Sequence, residues 1–204
     1  MQSVHDFLWS VIWEDGPYDG VIGFSQGAAL AASLLLCHEF SSEIPGHVNG
    51  GDPPFKLAIF FNSVMLFSPS ENIGSNISEE IKRLEKKHTK FLQGVSTSPV
   101  ENEDDANESC SSSGDESDIE PTRSIFGFSP ETFPTRISIP SLHIIGRQDQ
   151  FSDHSKALVK LCRPDKAEVL IVDGGHELPR TAAGLDKCAE LFELVVTMAS
   201  LGGT

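Results

Sequence analysis

The sequence predicts an α/β fold, a mostly parallel sheet flanked by helices and held in one domain, 1–204. Three observations carry that reading. Apolar runs at Tyr18–Phe24, Leu57–Phe61 (with an extension toward Phe67), Ser141–Gly146 and Glu168–Val172 are nearly unbroken. Strands buried on both faces read this way, whereas half-exposed strands alternate. Helix-forming stretches separate the runs, and strands alternating with helices imply parallel pairing. Finally, 204 residues suffice for one real core and not for two.

Taken in order, Val4–Glu14 reads as a helix that ends at the Gly16-Pro17 turn. The first strand runs into Gln26–Phe40, a helix whose Ala28, Ala29, Ala31 and Ala32 let it lie close against a sheet. Asp153–Cys162 follows the third strand. Thr181–Leu201 closes the chain, with Gly202 just past its end. Between the second and third strands, residues 68–133 read as a variable insertion. Within it Ser78–Gln93 sets Ile81, Leu84, His88, Phe91 and Leu92 along one helical face. Such a helix serves either as a lid over a pocket or as one more cover of the sheet. Residues 96–121, rich in Ser, Asp, Glu and Asn, have too little apolar surface to order and read as a disordered acidic tract.

Composition narrows the chemistry. A net charge of −15 argues against a nucleic-acid partner, which needs clustered Lys and Arg. Nine of the acids lie in Glu101–Glu120, so the rest of the chain is only mildly acidic. No apolar run reaches membrane-spanning length, and the first cationic side chain is Lys56, so no secretory leader is expected. Cys37, Cys110, Cys162 and Cys188 form no CxxC pair, so no metal or organic cofactor is implied. Cys37 and Cys188 read as small core residues of a chain kept in a reducing compartment.

The segment that carries chemistry is Gly23-Phe24-Ser25-Gln26-Gly27, a G-x-S-x-G turn between a strand and a helix. The strained backbone at its tip exposes Ser25, and glycine is expected at both flanks because side chains there would collide. Helix amides beneath the serine, that of Gln26 among them, point to where an oxyanion would develop. A serine hydroxyl needs a base. His176, in Gly174-Gly175-His176-Glu177-Leu178-Pro179, sits on the loop after the last strand, at the same sheet edge as Ser25. The other six histidines fall in predicted helices, in a strand or in a polar loop. Asp149 lies just past the third strand, where a carboxylate could orient His176. Its rivals are weaker: Asp153 reads as a helix cap, and Asp173 is too close to His176 in sequence.

Glu14–Ala31, Pro140–Asp149 and Gly174–Pro179 together resemble the FSH-type serine hydrolases, a family first grouped in fungi. The match covers most of the chain outside residues 68–133. It implies a partial α/β-hydrolase fold that cleaves a small-molecule acyl ester or thioester through an acyl-enzyme, with Ser25, Asp149 and His176 as its triad. It also implies a setting in secondary metabolism and a cytoplasmic or nuclear location. In that family a strand and an L-H-G-like loop precede the elbow and supply a second oxyanion amide. Only some twenty residues stand there in this chain, so it is expected to be N-terminally truncated. The competing reading is a non-catalytic remnant or truncated gene model that acts as a binding module.

Overall fold

A computed structural model describes residues 2–43, 52–83 and 124–202. The chain divides into two compact units, one of 1–76 with 126–204 and one of 77–125.

The larger unit begins with helix α1 (Gln2–Asp15), which leads into strand β1 (Gly20–Phe24), helix α2 (Gln26–Glu43) and strand β2 (Leu57–Phe61). A short antiparallel pair follows, β3 (Ser75–Asn76) with β4 (Phe126–Gly127). Strand β5 (Ser141–Gly146), helix α3 (Ser152–Lys160), strand β6 (Ala167–Val172) and helix α4 (Ala182–Leu201) complete it. The main sheet has the order β1-β2-β5-β6 and is parallel throughout. All four predicted strands are present. The extension of β2 toward Phe67 is not: Asn62 takes a positive φ of 45° and turns the chain out of the strand.

Parallel pairing puts helices on both faces. On one, Ala28, Ala32 and Leu35 of α2 and Leu158 of α3 pack on Ala58 and Phe60. Alanines let the α2 backbone approach the sheet closely. On the other, Val195 of α4 packs on Leu57, Ile59, Leu142 and Ile144, with Cys188 alongside. Burying an aliphatic side chain of this size contributes roughly 1.5–3 kcal/mol, and the central strands are lined with them. Strand β1 is different. It pairs on one side only among the described residues, and Ile22 there is 66% exposed.

β5 is buried along its whole length, including Ser141 and His143, whose Oγ and Nε2 lie 3.1 Å apart. Burial pushes the His143 pKa down to about 3. The unfolded chain therefore takes up a proton near the ordinary histidine value that the native strand refuses until far lower pH. Stability from this group is complete above pH 6.5 and is lost as pH falls from there toward 3. By pH 4 the loss is on the order of 3 kcal/mol. Urea unfolding of wild type and His143→Leu at pH 7 and pH 4 checks this, the variant losing less stability on acidification.

α1 docks on α2 through a buried polar pair. Ser33 Oγ donates to the Phe67 carbonyl at 2.8 Å, so His5 Nε2, 3.1 Å away, serves as donor to that hydroxyl. Cys37 on α2 is packed against the same core, and burial pushes its thiol up to about 12. It behaves as an apolar side chain.

In the smaller unit, a helix starts at Ser78, whose Oγ accepts the Ile125 amide, while Ile77 N–H donates to the Ile125 carbonyl. Helical residues 78–83 match the start of the predicted 78–93 helix. Its remainder and the acidic tract 96–121 lie outside the described residues.

Candidate active site

Four strands running the same way place four loops at one edge of the sheet, where open α/β sheets bind their ligands. Ser25 follows β1, Asn62 follows β2, Asp149 follows β5 and His176 follows β6. Ser25 sits at φ 55°, in the left-handed region that few non-glycine residues enter. Its N–H donates to the Phe61 carbonyl at 2.9 Å, and its own carbonyl accepts the Ala29 amide. The sheet grips one side of the turn and the helix the other, which holds the hydroxyl outward. A Cβ on Gly23 would lie 2.5 Å from Ala28 N, so glycine is required there. At Gly27 a Cβ would meet nothing within 4 Å, against the expectation that both flanks demand glycine. That side of the turn is open.

Three residues read from the sequence meet here in series. His176 Nε2 lies 2.8 Å from Ser25 Oγ, and His176 Nδ1 lies 2.9 Å from Asp149 Oδ2. Asp149 has a fully buried side chain, and its second oxygen accepts the Phe151 amide at 2.9 Å. Phe24 and Phe151 flank the imidazole, each with a ring centroid 5.2 Å from it. Two flat apolar rings limit how far the imidazole can swing. Gln26 is the first residue of α2. First-turn amides have no intrahelical acceptor, the Gln26 N–H among them.

The rival carboxylates are engaged elsewhere on the surface. Asp173 pairs with Arg147 at 3.0 Å and Asp153 with Lys156 at 3.0 Å. Asp153 is not the cap of α3 as its sequence position suggested. Phe151 holds that position, with no side-chain cap. Of the other histidines, His5 and His143 are buried in contacts of their own.

Two features escape sequence reasoning. Asn62 contacts the loops carrying both Asp149 and His176, and the break from Leu57–Phe61 into a polar residue at a strand end was the available signal. The aromatic pair had none, because Phe24 and Phe151 are far apart in sequence. A cleft of about 820 Å³ runs between α1 and the end of α2, lined by Trp9, Trp13, His38 and Pro54 among others. None of Ser25, Asp149 and His176 lines it.

This geometry agrees with what the chain is similar to. The family model described as Serine hydrolase (FSH1) matches residues 1–188. The chain belongs to this family. It is 31% identical over 199 residues to esterase FPY3 of Fusarium mangiferae, covering 97% of this chain and 65% of that protein. It is 32% identical over 204 residues to esterase alnB of Emericella nidulans, covering 89% and 68%. Hydrolase FUB4 of Gibberella moniliformis is 30% identical over 210 residues, covering 98% and 74%. The FSH1-family chain thus spans about two thirds of the length of the first two relatives. Among the described residues no cluster of His, Cys, Asp or Glu has the arrangement to hold a metal ion, and no helix is long and apolar enough to cross a membrane.

Proposed function

We propose that this chain is a serine hydrolase that cleaves small-molecule carboxylic esters or thioesters through an acyl-enzyme. The reading rests on one observation, the unbroken series from the Ser25 hydroxyl through the His176 imidazole to the buried Asp149 carboxylate. In the first half-reaction His176 Nε2 takes the Ser25 proton while Oγ attacks the acyl carbon. The oxyanion that forms is met by the Gln26 amide at the start of α2. Asp149 holds the Nδ1–H tautomer and stabilises the imidazolium. His176 then returns the proton to the departing alkoxide or thiolate, leaving acyl-Ser25. In the second half-reaction water replaces the leaving group and the same steps free the acid.

The names of the relatives, esterases and hydrolases, support this class of substrate. The test is covalent. A fluorophosphonate probe incubated with the chain should label one site, and peptide mass spectrometry should place the adduct on Ser25. Well-folded protein that takes no label, or takes it on another serine, would overturn the reading.

A further inference from the structure

Asn62 is a fully buried polar side chain that touches both loops behind the triad, and nothing in the mechanism above uses it. Its Oδ1 accepts the Gly146 N–H at 2.8 Å, at the end of β5, and its Nδ2 donates to the Glu177 carbonyl at 2.7 Å. Gly146 opens the turn whose carbonyl accepts the Asp149 amide, and Glu177 is the neighbour of His176. One planar amide therefore joins the carboxylate loop to the imidazole loop.

We propose that Asn62 is a positioning residue, which sets the His176–Asp149 alignment by fixing the spacing of their two loops. This rests on the hydrolase reading of the same site. Three observations converge on it. The two partners are an N–H and a C=O, and only a carboxamide offers one acceptor and one donor on a short rigid stem. Asp could accept from Gly146 yet would set an oxygen against the Glu177 carbonyl. Ser and Ala cannot span both.

The backbone of Asn62 is at φ 45°, a region that Asn and Gly tolerate and most residues do not. The strain aims the amide back at the sheet edge, and Asn62 N–H is tied to the Ile144 carbonyl at 2.9 Å. Lastly, the two loops already touch backbone to backbone. A Cβ on Gly146 would lie 2.2 Å from the Gly175 carbonyl oxygen, and Gln148 N–H donates to the Gly174 carbonyl at 2.9 Å. Contact that close leaves the remaining freedom as a sliding of one loop along the other. The two hydrogen bonds of Asn62, just past the end of β2, oppose it. A misplacement of about 1 Å at a reacting group can cost ~10²-fold in rate.

The experiment compares Asn62→Asp, which keeps the shape and loses the donor, with Asn62→Gly, which keeps the backbone conformation and loses both side-chain bonds. In ¹⁵N-histidine-labelled 204-residue chain, the proton between His176 Nδ1 and Asp149 should give a low-field NMR resonance that His176→Ala removes. In both Asn62 variants that resonance should broaden or vanish, and kcat on a short-chain ester should fall about 10- to 100-fold with KM nearly unchanged. Melting temperatures show that the folded protein is being compared, and a variant that fails to fold leaves the other to decide. Folded variants with the wild-type resonance and kcat would overturn the proposal. Wild type that shows the resonance yet neither hydrolyses nor labels would sink the hydrolase reading alone, and the resonance would still decide the role of Asn62.

Discussion

His176→Ala is expected to lower ester hydrolysis by about 10⁵-fold and to abolish fluorophosphonate labelling of Ser25. Without a base 2.8 Å from Oγ the serine is an ordinary alcohol at neutral pH. Oxyanion stabilisation and substrate binding would survive, so a residual rate above the uncatalysed reaction is expected. The fold should tolerate the change, because the His176 side chain is 27% exposed and Asp149 keeps its bond from the Phe151 amide. Steady-state kinetics with a chromogenic ester and a thermal melt check both parts. A loss under tenfold would assign the proton transfer to a different group.

Asp149→Asn should cost about 10⁴-fold in kcat with the fold intact, and the structure says why an isosteric change is so harmful. One oxygen of Asp149 must accept the Phe151 N–H, and that requirement fixes the orientation of an introduced amide. Its carbonyl turns to Phe151 and its NH₂ is left facing His176 Nδ1. Nδ1 must then accept, the proton moves to Nε2, and the nitrogen facing Ser25 has no lone pair with which to take a proton. The error is one of tautomer and leaves every heavy atom in place. Kinetics together with the ¹⁵N shifts of His176 would separate it from unfolding. A variant with wild-type kcat would show that Asp149 has no part in orienting the base.

The strands and helices were legible because their signals are local. Leu57–Phe61 is apolar throughout and Ser141–Gly146 mostly so, with Ser141 and His143 as its polar members, and a five- or six-residue run of that kind has few other uses. Boundaries moved by a residue or two at Ala167 and Ser152, where end residues carry little of the packing. The sequence also pointed at Asp149 over Asp153 and Asp173, because Asp153 reads as a helix cap and Asp173 stands too close to His176 in sequence. The pairing of the two rejected acids with Lys156 and Arg147 is the physical counterpart. Where the reading erred, at Gly27, at Asp153 as a helix cap and in carrying β2 toward Phe67, the deciding facts were open space, the point at which α3 begins and a single positive φ.

Residue order alone was enough to fix that Ser25, Asp149 and His176 stand at strand ends, hence on one edge of a parallel sheet. Chirality and strand direction leave no other place for them. That placement does not by itself bring their atoms together, because the strand order β1-β2-β5-β6 puts the Ser25 and His176 strands at opposite edges of the described four-stranded sheet. Contact across that width needs loops of matched reach, and the match comes from Asn62, from the Gly146–Gly175 approach and from the two phenylalanines. These are contacts between residues tens of positions apart. Ångström-scale fit of that kind depends on the packed interior as a whole, so it emerges only when the chain is folded.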